Sequence, residues 1–360
     1  MEFLGWQVVS TPKKSKLLKE IDYTGWGDKT GTDGLFQKDA EPWNLASYYR
    51  SFWAINPTLE YAENDNLASS NWKAKDFTYY SYDEILKHGL DDTKIYVQEN
   101  AADATDRKNV KADNETKVIV AARLLNKKGE EMPIVEYGLM YYQKDDLLKY
   151  FAGQLAKHFY SDPAEAGKSE KTSAITKDYI DYLTQYQYMT EMNEAKRAGV
   201  DVKNGYLAYV ALNTAGKGKT WYRDEIVEEE QPDGSKTQKT VAKKYEKEDV
   251  NKFIQGVVGN RLLVWDEGRT YYYLTVRHLG AAPTKDENGE EQVAPGTYGV
   301  VRNHIYKVNL NQLVGLGTPV LDPTETIYPE KPQHDNYLFA AEIKVLQWRV
   351  VSQDYDFTWE

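Results

Sequence analysis

The stretch YLFAAEIKVLQWRVVSQDYDF, residues Tyr337 to Phe357, is the longest strand-like run in the sequence and decides how the rest is read. Up to Val345 its apolar residues alternate (Phe339, Ala341, Ile343, Val345), the period of a strand with one buried face. At Val345-Leu346 two apolar residues adjoin and the phase flips to Leu346, Trp348 and Val350. A bulge or a change of partner accounts for such a flip. A second flip at Val350-Val351 puts Val351, Gln353, Tyr355 and Phe357 on one face and Ser352, Asp354 and Asp356 on the other. The tail therefore has an apolar side and a charged side, whereas a loose terminus is usually polar. Such a ribbon either closes its own sheet or pairs with another molecule.

Working outward, the 360 residues leave room for two domains, or for one with large insertions. Charged residues make up 28% and mean hydropathy is −0.71, and no apolar run approaches the ~18 residues of a membrane-spanning helix. The start, MEFLGWQVVS, lacks the basic, apolar and small-residue regions of a signal peptide. Without cysteine there is no disulfide framework, thiolate metal site or cysteine nucleophile. A net charge of −11 disfavours nucleic acid as a partner, because phosphate contacts need clustered Lys and Arg. The 29 tyrosines suit half-buried sheets and interfaces, having apolar rings with polar tips.

Residues 3–10 read as one strand, followed by a Gly-, Asp- and Lys-rich connection over 11–47. That strand is expected either to end a domain whose remainder is missing or to join the main body from outside. Ser81 with Glu84 forms a capping box for a short helix that Gly89 closes. Strands are expected at Lys94–Gln98, Thr116–Leu125 and Pro133–Tyr142; in the second, Val118, Val120, Ala122 and Leu124 share a face. A helical hairpin follows over about 145–198. Its first helix carries Leu147, Phe151, Leu155 and Phe159, and its second, Ser173 to Ala198, turns Ile175, Tyr179, Leu183 and Tyr186 inward. The strand period then returns at YLAYVAL, 262–265, 270–278, 299–310 and the terminal run. Short strands interrupted by a helical insertion predict a mainly β protein, a β-sandwich carrying an inserted helical hairpin.

Little in the chain nominates catalysis. LNTAGKGKT (212–220) ends in Gly-Lys-Thr, but Asn213 stands where a phosphate loop needs Gly, and the acidic WYRDEIVEEE follows; a hairpin turn is the better reading. The five histidines lack ligand spacing. His278 and His304 are the one pair whose strands could bring them together around zinc, and structural histidines are the better expectation there. No GxSxG occurs, and no glycosidase carboxylate pair stands out among 56 acidic residues. The acidic runs 225–230 and 286–291 read as solvated faces and loops, and Asn114-Glu-Thr116 is an uninformative sequon. No catalytic residue, metal site or cofactor is expected.

The motifs YRSFWA (49–54), YVQEN (96–100), TKVIVAA (116–122), YYYLTVRH (271–278), YGVVRNHIYKVNL (298–310), GLGTPV (315–320) and WRVVSQDYDF (348–357) carry a family resemblance. The chain resembles the fimbrillins of Bacteroidales, the pilins of type V pili, and among them the shaft subunits of the minor fimbrium. The resemblance covers most of the chain from about residue 45, and its last three motifs are the specific ones. It implies transthyretin-like β-sandwich domains, export as a lipoprotein, and trimming by a protease that opens a groove. A neighbour's C-terminal strand fills such a groove by β-strand addition. Carried over, residues 1–45 are the terminal strand and linker of a truncated N-terminal domain, 46–346 the C-terminal sandwich with its insertion at 145–198, and 347–360 the donor-type strand. Its polymerisation residues are Trp348, Val350, Val351, Gln353, Tyr355 and Phe357, with Val351, Gln353, Tyr355 and Phe357 entering the groove. Tyr355 and Phe357 depart from the family's smaller aliphatics and imply a wider groove or a looser fit. The implied partners are other fimbrial subunits in a homopolymer, anchor and tip proteins, and host or bacterial surface receptors. The implied place is an extracellular fimbrium on the outer membrane, and the implied role a non-enzymatic one in adhesion and biofilm formation. The alternatives are a tip adhesin or a secreted carbohydrate-binding sandwich stacking sugars on Trp43, Trp53 or Trp72, and a secreted glycosidase.

Overall fold

Strand KVIVAAR, which the period-two pattern of 116–125 predicts, lies at the centre of the first sheet. The computed structural model describes residues 1–13, 16–18, 53–55, 77–87, 94–99, 116–192, 206–259, 262–276, 284–285, 291–292, 300, 304–313, 315–329, 339–346 and 350–351. Within them, β1 (Glu2–Val9) and β2 (Lys117–Arg123) pair antiparallel from Glu2↔Arg123 to Val9↔Lys117, with an irregularity at Phe3/Gly5. The N-terminal strand is thus joined to the main body rather than left without a partner. Seven further pairs join β2 to a strand at Arg269–Thr275, which also pairs with Thr318–Pro319. Both faces of β2 are buried. Ile119 and Ala121 pack with Val9, Tyr271, Val320 and the short helix α1 (Tyr82–Leu86). Val118 and Val120 pack with Val276 and Val300, against which Trp6, Val8, Tyr306 and Val308 lie. The predicted capping box holds α1: the Ser81 N–H donates to Glu84 Oε2 (2.7 Å), and the Glu84 N–H to Ser81 Oγ (3.3 Å).

The second sheet contains β3 (Ile134–Tyr137), β4 (Met140–Gln143), β5 (Ile180–Thr184), β6 (Ala208–Leu212) and β9 (Leu262–Trp265), in the order β4-β3-β9-β6-β5. Helix α2 (Lys144–Leu155) lays Leu147, Leu148, Phe151, Ala152 and Leu155 onto it, as the four-residue period predicts. Between β6 and β9 the chain forms a separate ribbon, β7 (Trp221–Glu230) with β8 (Lys236–Tyr245), and a further helix at Lys247–Val258. With β10 (Arg269–Thr275) the two sheets are linked twice. β2 runs on towards β3, and β9 runs on into β10 through the tight turn Asp266–Gly268. Because β2 pairs β10 and β3 pairs β9, the strands cross between sheets as a pair, and the Leu124 N–H donates to Gly268 O at 2.7 Å where they cross.

The mainly β class holds, and five local expectations are corrected; the first is the strand expected at Pro133–Tyr142, which is instead the hairpin β3–β4, turning at Gly138 and Leu139. The second helix of the helical hairpin does not form over 173–198. Residues 180–184 instead pair along five positions with β6, and the α-helical part of the described residues 173–192 is α3 (Gln185–Glu191), with a single 3₁₀ turn at Lys177–Tyr179 before the strand. Ile180, Tyr182 and Thr184 alternate as buried residues, and five ladder pairs outweigh the competing i,i+4 pattern, leaving Tyr186 50% exposed. Residues 193–198 lie outside the described set. LNTAGKGKT is a helical turn, α4 (Thr214–Lys217), rather than a hairpin, because Asn213 Oδ1 accepts the Gly216 N–H at 2.9 Å as an N-cap. Lys94–Gln98 is irregular backbone. The acidic run 225–230 is a solvated face, as expected, but that face is a strand of the ribbon, held in register by β8.

The loop from Ser161 to Ile175 closes on one carboxylate. Glu165 is 4% exposed and accepts from Thr172 (N 3.1 Å, Oγ1 2.5 Å) and Ser173 (N 3.0 Å, Oγ 2.7 Å). Hydrogen bonds from the Thr172 and Ser173 side chains, then from the Ser173 backbone, pull its pKa down to about 2. A depressed folded-state pKa contributes stability above the unfolded value of about 4.5, lost as pH falls from there towards 2. Glu165→Gln is expected to flatten the acid limb of the stability profile in that window. Urea unfolding at pH 2.5, 4 and 7 checks this; the same acid slope in both proteins would exclude Glu165 as its source.

Candidate functional site

The C-terminal strands form a third sheet: β11 (Ile305–Leu313), β13 (Phe339–Leu346) and β14 (Val350–Val351), with β12 (Thr318–Pro319) belonging to the first. β11 and β13 are antiparallel from Ile305↔Leu346 to Leu313↔Phe339, with a shift at Leu310/Gln312. β11 faces the first sheet through Tyr306 and Val308, which alternate with the exposed Ile305, Lys307 and Asn309. The third sheet thereby covers the Val118/Val120 face and completes a sandwich with the first.

The phase flip read at Val345-Leu346 falls where β13 ends. Val350 and Val351 return antiparallel onto Leu346 and Val345, so the run over 339–351 is a strand and a reversal, and among the described residues β14 is the last strand of that sheet. Among the expected polymerisation residues, the structure places the Val350 and Val351 backbones on that edge. Trp348, Gln353, Tyr355 and Phe357 lie outside the described residues. The sequence signal of the reversal is the pair of phase flips five residues apart, at 345–346 and 350–351.

The polar clusters near this region serve packing. Arg269 donates to Asp266 and Glu267 at 2.5 Å each, and Lys144 to Asp266 at 2.7 Å, bracing the crossover turn. Thr184 Oγ1 donates to Glu325 at 2.6 Å and Gln187 to Asp322 at 2.9 Å, tying the loop after β12 to the second sheet. Burial raises the Glu325 pKa, which the Thr184 hydrogen bond lowers and the Asp322 charge raises. No group of three His, Asp or Glu suited to a metal occurs among the described residues. His304 packs beside Tyr306, with ring centroids 6.5 Å apart; His278, Trp43 and Trp72 lie outside the described set. No helix among the described residues is long and apolar enough to cross a membrane.

The described residues define a mainly β protein in which the C-terminal strands build one layer of a sandwich. Residues 264–354, about a quarter of the chain, match the family model for the major fimbrial subunit protein type IV, fimbrillin, C-terminal. That segment spans β9's last residues through the reversal at β14, and it supports a fimbrillin, a structural fimbrial subunit. No curated protein matches the chain.

Proposed function

We propose that this chain is a shaft pilin that polymerises by donating its C-terminal segment to a neighbouring subunit, in a surface fimbrium attached to the outer membrane and active in adhesion and biofilm formation. The observation that carries the reading is the alternation of 351–357 directly after β14, the last strand of its sheet among the described residues, at the end of the fimbrillin-matching segment. Main-chain pairing supplies affinity, and Val351, Tyr355 and Phe357 in pockets supply register. Asp354 and Asp356 on the opposite side limit free sheet growth. Other copies, an anchor subunit and a tip subunit are the partners.

Deleting Val351–Glu360 in a full-length subunit expressed with its partners tests this. Three large apolar side chains contribute roughly 1.5–3 kcal/mol each when buried, so association is expected to weaken about a thousandfold or more. The monomer keeps its melting temperature, since the cut removes only the Val345↔Val351 pair from the described ladder. Normal polymers from the truncated subunit would end the donor reading; an unfolded monomer would make the tail ordinary core.

A further inference from the structure

The ribbon of β7 and β8 has no role in the tail's chemistry, and its composition is lopsided. From Asp224 to Glu230, β7 carries Asp224, Glu225, Glu228, Glu229 and Glu230 and no base; from Lys236 to Lys244, β8 carries Lys236, Lys239, Lys243 and Lys244 and no acid. The strands pair along ten positions. β7 is tied to the body at its root, where Tyr160 and Tyr222 exchange N–H and C=O groups at 3.1 and 2.8 Å. Alternation then turns the backbone groups of Asp224, Ile226, Glu228 and Glu230 outward along β7. Among the described residues the only strand paired with β8 is β7. The distal residues Glu228–Glu230 and Lys236–Lys239 are exposed, as is Ile226 at 67%. A two-stranded ribbon is marginal alone in water, and an open edge is a template for another strand.

We infer that the ribbon is a contact between copies of this chain, in which the acidic edge β7 of one subunit pairs with the basic edge β8 of the next. Charge selects that arrangement. A two-fold contact of β7 with β7 sets carboxylates against carboxylates, and one of β8 with β8 sets lysines against lysines; both are destabilising. Acid-to-base pairing is attractive, and it leaves one free acidic and one free basic edge at the ends, so it propagates instead of closing. The ion pairs within the ribbon (Glu225–Lys243 2.6 Å, Glu228–Lys236 3.1 Å, Glu229–Lys239 3.8 Å) do not exhaust these groups. A carboxylate has about four acceptor sites and an ammonium three donors. Ile226 adds an apolar contact between the charges. The inference goes beyond the tail reading and relies on it only for bringing copies side by side.

The chain has no cysteine, so single cysteines report the contact directly. Ile226→Cys on β7 and Gln238→Cys on β8 are placed in separate full chains, mixed at low salt and oxidised. The mixed dimer is expected to exceed either like dimer by about tenfold, several like-charge pairs opposing the latter, and to decline as salt screens the charges. Equal yields of mixed and like dimers, or a mixed yield no higher than with Lys149→Cys on α2, would overturn it. A second variant exchanges the charges across the ribbon (E225K, E228K, E229K, K236E, K239E, K243E) and so keeps the internal pairs. Carrying the same cysteines, these chains are expected to cross-link β7 to β8 among themselves but β7 to β7 with the unmodified chain, where acid now meets base; an unchanged β7-to-β8 preference against the unmodified chain would overturn the inference. Deleting 351–360 is expected to abolish polymers and leave this dimer ratio unchanged. A ratio lost with the tail would assign the contact to the tail, whereas normal polymers with an intact ratio would defeat only the donor reading.

Discussion

Gly268→Ala is expected to cost about 3 kcal/mol or more, the combined scale of an unfavourable backbone conformation and a displaced backbone contact. Gly268 has φ of +71°, and an added Cβ would lie 2.4 Å from Leu124 O and 3.2 Å from Leu124 N. Neither atom can give way easily, because the Leu124 N–H donates to Gly268 O at 2.7 Å and the Met132 N–H donates to Leu124 O at 3.1 Å. The turn joins Trp265, fully buried against the second sheet, to Arg269 at the start of the first. A shift there moves both sheets. Gly234→Ala provides the comparison: at φ of +81° in the ribbon turn, with nothing within 4 Å of the new Cβ, it carries only the conformational cost of about 1 kcal/mol. Urea unfolding of the two variants separates the causes. Equal losses would show that the approach to Leu124 contributes nothing.

What the sequence makes legible is what is decided locally. In β2 the alternation assigns two faces, and both find partners; Ser81 and Glu84 cap α1; Leu147, Phe151 and Leu155 put α2 on the second sheet. What it hides depends on distant segments. Residues 180–184 satisfy a helical and a strand period equally well, and β6, nearly thirty residues later, selects the strand. The helix at Lys247–Val258, here α5, has Val250, Ile254 and Val258 recurring every four residues, Glu248 and Asp249 opening it and Gly259 closing it at φ of +80°. Asn251, at 3% exposure, interrupts the apolar stripe; it belongs there because its Oδ1 accepts the Leu212 N–H of β6 at 2.9 Å. In the ribbon, charge dominates and hides the strand period of a solvated face, so its pairing shows only when acids on one strand are matched with lysines on the other. In the tail, the phase flips mark where the chain changes partner but not the direction it then takes.

The second large effect is expected at the root of the ribbon, where Trp221→Ala should cost about 3–5 kcal/mol, the range for emptying a buried aromatic site. Trp221 is 1% exposed, and its indole N–H donates to Gly216 O at 2.8 Å. Tyr179 meets its ring edge-on with centroids 5.3 Å apart. The site cannot collapse from the far side. Gly216 is already so close to Tyr179 O that a Cβ there would lie 2.1 Å away, and Asn213 holds α4 in place by donating to Asp178 O at 2.9 Å. Beside it, Arg223 sits over the Phe253 ring at 4.4 Å and over those of Phe159 and Tyr245 at 5.5 Å each, so the first residues of β7 fasten the ribbon to α5. Trp221→Phe retains most of the buried area and loses the indole hydrogen bond, while Gly216 O still accepts the Lys219 N–H at 3.2 Å, so it is expected to cost only about 1 kcal/mol. Hydrogen exchange adds a readout that global unfolding lacks. Amides of 222–230 and 236–245 are expected to lose protection in Trp221→Ala before those of β2 and β10, because the ribbon leans on this one root. Uniform loss across all sheets would mean that Trp221 stabilises the whole sandwich and that the ribbon is not a separable arm.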